Sequence, residues 1–549
     1  MSVRKTYIAL AVSAVVIATV AGCARQTGQQ PTVQVQPVPE VMQEQEALSA
    51  SKMVKRSMQA DAVAMQEYFV NSGIIQPGII HPEPSYENYQ TFDDNPYLSP
   101  QTQPLSTFSL DVDTASFANV RRFINDGRLP PVDAVRTEEL VNYFSYDYPV
   151  SDTGKPLSLG YELGVSPWNA DASLLKVAMK AQDISSDKGA NLVFLVDVSG
   201  SMNDANKLPL VKQSLKLLVK QLDADDRISL ITYAGNVRQV LDATPGNQRS
   251  KILQAIDALD AGGGTYGEGG LKLAYNTAVE HLVEGGVNRV LLATDGDFNL
   301  GMTGIKELER YISGQRKQGV SLSVLGFGDG NYNDQLMETL SNAGDGNAAY
   351  IDSLQEARKV LSEQLTANFH TLAWDARIQV EFNPAVVQSY RLIGYENRQL
   401  ADEAFLDERT DAGEVGAGQT VTALYELVLQ NQPQTYPLRY QPVKQDVPEI
   451  NEGELGHIRL RYKTWQGGSS EEQAVAVRTG SRCQPVAACS QDFRFAAAVA
   501  GYGQKLRNHQ ALSAFSWQSL ADLARDAKGV DRFGYRAGFI QQLQLTAAL

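Results

Sequence analysis

Cysteine is scarce, with three in 549 residues. The five histidines (His81, His281, His370, His457, His509) include no i, i+4 pair, so a helix-borne zinc site is not indicated. No Walker-type phosphate loop occurs, and no G-x-S-x-G elbow surrounds Ser199 or Ser201, which speaks against hydrolases built on those devices. Long apolar runs are missing near the start: Ile8 to Val20 is a stretch of 13 residues, too short for a comfortable membrane span. Positive charge is in the minority, with 48 Lys+Arg against 63 Asp+Glu and a net charge of −15, which argues against a nucleic-acid-binding surface. No repeat of fixed period is visible. What remains is ordinary for a globular protein, 43% hydrophobic and 20% charged, and the length suits about two to four domains.

Residues 1–22 read as a targeting segment: Arg4 and Lys5, then the apolar run, then Val20-Ala21-Gly22-Cys23. That ending resembles the bacterial lipobox, which implies cleavage before Cys23 and acylation (palmitate among the chains) of its thiol. Several acyl chains on one residue anchor a protein stably. Ala24 is not Asp; by resemblance to lipoprotein sorting in double-membrane bacteria, this implies the outer membrane. Residues 23–104 read as a Gln/Pro-rich tether and linker, largely disordered.

Residues 105–188 carry a strand at Thr107 to Val112, helices at Phe117 to Asn125 and Arg136 to Tyr143, and two further strand-like runs. From 189 to 370 apolar strands alternate with amphipathic helices, the last read as one helix over Leu354–Phe369. Such alternation predicts βα crossovers and a mostly parallel sheet covered on both faces. From 371 to 549 strands with turn-rich connections predict a sandwich-like β region, followed by helices. Because strands flank the α/β unit on both sides, residues 105–185 and 370–480 are expected to pair into one β domain that receives the α/β domain as an insertion.

Val193-Phe194-Leu195-Val196 reads as a doubly buried strand running into Asp197-Val198-Ser199-Gly200-Ser201. Ligands bind beyond the carboxyl ends of strands in open α/β sheets, and an Asp with two alternating hydroxyls there offers oxygens to a hard cation. Thr294-Asp295-Gly296-Asp297 follows a second strand, and Gly262-Gly263-Gly264-Thr265-Tyr266-Gly267 is a glycine-rich loop. The set resembles the von Willebrand factor type A domain, a Rossmann-like fold, over roughly residues 190–370. The resemblance implies a metal-ion-dependent adhesion site, with Asp197, Ser199 and Ser201 as its D-x-S-x-S element, Thr265 as the third hydroxyl and Asp295 as the second carboxylate. It further implies that the hydroxyls bind directly, that the Asp residues act largely through water, and that one position stays open for a partner's carboxylate. Asp297 is expected to brace its loop or face solvent. All-oxygen ligands suit Mg²⁺ first, with Mn²⁺ or Ca²⁺ possible.

A second resemblance lies in Ser106 to Ser116, Asn119-Val120-Arg121-Arg122-Phe123 and Glu139 to Phe144. These are similar to a segment found ahead of this domain in certain bacterial lipoproteins, and the region from about 370 is similar to the domain of unknown function that follows it there.

Other motifs carry less. Asp111-Val112-Asp113-Thr114 lacks the Thr or Val a phosphatase-type D-x-D site wants at Ala115 and reads as a turn or cap. Gly262, Gly264 and Gly267 satisfy G-x-G-x-x-G, but a helix and not a strand precedes them. Cys483 and Cys489 flank a short loop; outside the cytoplasm a disulfide is favoured there, two buried thiols being the alternative.

The expectation is a lipid-anchored cell-envelope protein, not an enzyme, that binds a partner protein through a metal-bridged Asp or Glu carboxylate. The alternative is an envelope assembly or scaffold subunit with a structural metal. A metal-dependent hydrolase ranks below both, since no general base stands out.

Overall fold

The computed structural model describes residues 87–110, 113–150, 154–184, 188–296, 305–430 and 453–549. Cys23, the segments before residue 87, and Asp297 lie outside the described residues. No helix among the described residues is long and apolar enough to cross a membrane.

Residues 87–104, expected as disordered linker, are instead packed on the fold: Leu98 bridges to Tyr390, and the buried Asn95 donates to the Leu392 and Gly394 carbonyls. Then come β1 (Leu105–Ser109), α1 (Ala115–Asn125), α2 (Thr137–Asn142), β2 (Leu157–Val165) and β3 (Ala172–Ala181). The α/β unit follows: β4 (Ala190–Asp197), α3 (Leu208–Val219), β5 (Arg227–Tyr233), β6 (Val237–Pro245), α4 (Arg249–Asp257), α5 (Gly267–Glu280), β7 (Val287–Thr294), α6 (Ile305–Arg316), β8 (Ser321–Phe327), α7 (Asp334–Ala343), β9 (Ala348–Ile351), α8 (Leu354–Arg358) and α9 (Leu365–Phe369). The chain continues through β10 (Thr371–Phe382), β11 (Val387–Ile393), β12 (Gly413–Gly416), β13 (Thr420–Leu429), β14 (Glu454–Lys463), β15 (Ser470–Arg478), α10 (Gln491–Leu506), α11 (Trp517–Asp526) and α12 (Tyr535–Thr546).

The α/β sheet has the order β6-β5-β4-β7-β8-β9. Its neighbours are parallel except the edge pair β5–β6, which is antiparallel. β4 lies between two parallel partners and helices cover both its faces, so its apolar run needs no polar alternation. Leu192, Phe194 and Val196 enter one core with Leu208, Val211 and Leu215 of α3, while Val193 and Leu195 enter the other with Leu271 and Ala274 of α5. One strand thus nails helices to both faces through the two-residue period of its side chains.

The α/β unit is an insertion, as expected. β1 pairs antiparallel with β10, and β3 with β13, so strands from before the unit close sheets with strands from after it. One sheet runs β1-β10-β14-β15 with β12 on β10; the other runs β11-β13-β3-β2. Between them lie Phe108, Val177, Met179, Ile378, Val380, Tyr425, Ile458 and Leu460, all buried. The outer face of the second sheet, through Leu174, Ala178 and Leu424, is covered by α10, whose small residues Ala496 to Ala500 are fully buried. Ser490 caps α10 by accepting from the Phe493 N–H. Just ahead of it Cys483 and Cys489 are joined as a disulfide. Gly164 lies against that bond: a Cβ there would stand 2.7 Å from Cys489 Sγ, so no larger residue fits without displacing it.

The single helix expected over Leu354–Phe369 is interrupted. Residues Lys359–Glu363 form a π turn in which the Gln364 N–H donates to the Lys359 carbonyl at 2.9 Å. Ala357, Val360 and Leu361 all reach the core, so their apolar spacing reads as an unbroken helix and conceals the extra residue.

Ion pairs fasten the insertion to its surroundings. Arg121 of α1 binds Asp352 and Glu356, just before and within α8. Arg136, ahead of α2, pairs with Asp334 of α7, and Arg398 pairs with Glu338 of the same helix.

Candidate metal centre

β4 ends on Asp197 and β7 on Thr294, and the two strands are parallel neighbours with Val196 opposite Ala293. Asp197 and Asp295 therefore emerge on one edge of the sheet, and both are 0% exposed. After Asp197 the chain turns sharply, because the Asp197 carboxylate accepts the Ser199 N–H at 2.8 Å. This Asx-type turn leads into a 3₁₀ turn over Gly200–Asn203 and brings the Ser199 and Ser201 hydroxyls to 3.1 Å of each other.

The glycine loop is stitched to this turn through backbone. The Gly200 N–H donates to the Gly263 carbonyl at 3.0 Å, and the Gly262 N–H to the Val198 carbonyl at 2.8 Å. Thr265 follows in the same loop, half-buried and just ahead of α5. The carboxylates thus form a buried floor, while Ser201 and Thr265 reach towards solvent.

Three residues to which the sequence reading gave no role at the site complete the surroundings. Thr294 Oγ1 lies 3.4 Å from Asp197 Oδ2 and accepts the Gly296 N–H at 3.2 Å. Tyr233, opposite Asp197 in the β4–β5 register, is fully buried with its phenol beside Asp197 and Thr294. Lys207, just before α3, places its Nζ 2.9 Å from Asp295 Oδ2. The first two were open to detection, because both end strands that neighbour the motif. Lys207 has no such signal; it reads as an ordinary lysine at a helix start.

Burial pushes the Asp197 carboxyl up to about 6, and the charge of Asp295 adds to that rise, against the hydrogen bonds from Ser199 and Tyr233. A buried carboxylate held this way is short of positive charge.

The donor set fits a small divalent ion. Every group offered is oxygen: two carboxylates and three hydroxyls. Magnesium takes ligands at about 2.0–2.1 Å in an octahedron, whose adjacent corners stand about 3 Å apart; the Ser199–Ser201 hydroxyls, hydrogen-bonded at 3.1 Å, have the spacing of such an edge. Two other clusters among the described residues fit a cation less well. Glu162, Cys483 and Cys489 include a disulfide, and the Asp345, Asp411 and Glu414 group is occupied by Arg316, which pairs with both aspartates.

Family models match the chain in the same divisions. The von Willebrand factor type A domain family matches residues 191–364, a von Willebrand factor family matches 83–176, and the family described as "Uncharacterized protein YfbK, C-terminal" matches 367–549. The chain is 47% identical over 472 residues to uncharacterized protein YfbK of Escherichia coli (strain K12), covering 84% of this chain and 81% of that one. It is 28% identical over 230 residues to uncharacterized protein sll0103 of Synechocystis, covering 41% of this chain and 54% of that one. A solved von Willebrand factor type A protein from Catenulispora acidiphila overlays 70% of this chain and 89% of its own at 14% identity, with a TM-score of 0.38. Domains of the von Willebrand factor A type mediate protein–protein interaction and adhesion, and commonly hold a divalent cation. By its extended identity to the Escherichia coli protein and its matched domains, the chain belongs to the YfbK family, a von Willebrand factor type A domain carried together with the YfbK C-terminal domain.

Proposed function

We propose that this protein is a lipid-anchored envelope component that captures a partner protein through a divalent cation, Mg²⁺ first, held by Asp197, Ser199, Ser201, Thr265 and Asp295. The observation that carries the reading is the hydroxyl pair at 3.1 Å above two buried carboxylates, on a sheet edge that faces solvent through Ser201 and Thr265. An Asp or Glu of the partner supplies a further oxygen. Cys23 supplies the anchor, which places the site outside the cytoplasm, at the outer membrane of a double-membrane bacterium. The site binds and does not catalyse: Lys207, which could otherwise act as a base, is held by Asp295.

A scaffold in which the metal locks the insertion in place is less well supported. The pairs that fasten the insertion, Arg121–Asp352, Arg136–Asp334 and Arg398–Glu338, do not involve the proposed ligands. Crosslinking and pull-down from intact envelopes, with and without chelator, separates the two readings. The adhesion reading expects a partner recovered with Mg²⁺ and lost with chelator, the melting temperature falling only by the small amount that loss of a bound ligand brings. A chelator that lowers the melting temperature and leaves the partner bound would sink it.

The raised Asp197 sets a pH dependence. Cation and proton compete for one carboxylate, so binding expels a proton wherever the free site is protonated. With that carboxyl titrating near 6, Mg²⁺ affinity is expected to be flat above pH 7 and to fall about tenfold per unit well below 6. Calorimetric titration at pH 5, 6 and 8 checks this; equal affinities at all three would contradict it.

A further inference from the structure

Lys207 is the least expected group at the site. Its Nζ lies 2.9 Å from Asp295 Oδ2, with the two side chains 6% and 0% exposed. The placement is built by two separate elements. The Lys207 N–H donates to the Asp204 carbonyl at 3.0 Å, which fixes where the side chain leaves the backbone ahead of α3. Its aliphatic stem then runs along Gly328, after β8, where a Cβ would stand 2.5 Å from both Cγ and Cε of the lysine. Gly328 also has φ +75°, a conformation that favours glycine. A glycine is thus needed there for the stem to pass, and the stem delivers the ammonium to Asp295.

We propose that Lys207 is a resident counter-ion that sets the charge of the cation site, weakening metal binding in exchange for selectivity towards an anionic partner group. This rests on the metal-site reading above. Asp197, Asp295 and Lys207 together leave the ionised site with one net negative charge. A divalent cation turns that into one net positive charge, which attracts a carboxylate; without the lysine, the loaded site would be neutral and would attract none at range. The same pair satisfies Asp295 while no cation is bound, so the fold does not depend on the metal. The hydroxyl ligands add no charge of their own, so the lysine decides the sign.

The test is calorimetric titration of the full chain with MgCl₂ and MnCl₂, comparing wild type with Lys207→Met and Lys207→Gln. Met keeps the stem beside Gly328; Gln keeps a donor for Asp295 without the charge. Both are expected to bind the cation about tenfold or more tightly, since an ammonium within a few ångström repels a dication even at the dielectric of water. Their Mg²⁺-induced rise in melting temperature is also expected to exceed that of wild type. If Lys207→Met is soluble only with Mg²⁺ present, that dependence supports the proposal, because the cation then alone neutralises Asp295. Equal affinity in wild type and Lys207→Gln overturns the counter-ion role and leaves the metal site standing. Weaker binding in both variants overturns it as well, and makes Lys207 a support for the ligands. No binding by wild type removes the metal reading, and this inference with it.

Discussion

Replacing Ser199 and Ser201 together by alanine is expected to lower Mg²⁺ affinity at least about 100-fold, the upper end of what loss of even an outer-sphere partner costs. The fold should hold. The hydroxyls bond each other at 3.1 Å and that of Ser199 also supports the Asp197 carboxylate, and losing two such bonds costs about 2 kcal/mol, or about 6 °C at most in a chain of this size. The turn itself survives, because the bond that makes it runs from the Ser199 backbone N–H to Asp197 and involves no hydroxyl. The backbone bonds from Gly200 and Gly262 that tie the glycine loop to the turn survive for the same reason. Titration calorimetry with differential scanning calorimetry on the same samples measures both quantities. A double variant that binds Mg²⁺ like wild type would show that the hydroxyls are not ligands. One that unfolds would show that they hold the turn.

How much of this was visible in the sequence depends on whether a feature is local. β4 could be read because a run buried on both faces is apolar at every position and then stops at Asp197. The insertion was legible as strands on either side of the α/β unit, whereas the partners β1–β10 and β3–β13 were not. Those registers are set by packing between segments far apart in the chain. The π turn after α8 hid behind an apolar spacing that it leaves intact. Buried charge was the largest omission. Pattern reasoning assigns Lys and Arg to the surface, which is right for most of them. Lys207, Arg136, Arg377 and Arg391 are all buried here, and each is recognisable only once the acceptors that other elements bring to it are in place.

Arg136→Met is expected to destabilise the protein by about 3–5 kcal/mol, the cost of stranding buried charge. The side chain is 2% exposed. Its Nη2 donates to Asp334 at 2.9 Å, Nη1 pairs with the other oxygen of Asp334 and stands 3.8 Å from Glu338, and Nε pairs with Glu139. Burial works against the guanidinium charge, but the surrounding carboxylates outweigh it and hold the group protonated. Methionine fills much of the volume and removes every donor. Glu139, which burial already pushes up to about 7 against the pull of Arg136, then rises further. A carboxyl raised in the folded state binds more protons folded than unfolded, so its contribution to stability grows as pH falls through the folded value and is lost as pH rises. The variant is therefore expected to recover part of its stability between pH 8 and pH 6, more steeply than wild type; urea unfolding at the two pH values measures this. The loss should also reach the cation. Asp334 begins α7, and the residues just before it lie against the loop that carries Asp295: a Cβ on Gly296 would stand 2.6 Å from the Asn331 carbonyl oxygen and 2.7 Å from the Asn333 nitrogen. A shift of α7 is thus felt beside Asp295, and Mg²⁺ affinity is expected to weaken by about 0.5–2 kcal/mol, the usual size of coupling through packed contacts. An unchanged affinity in a destabilised Arg136→Met would mean that the Asn331–Asn333 segment moves independently of the site, and that the insertion is anchored without being coupled.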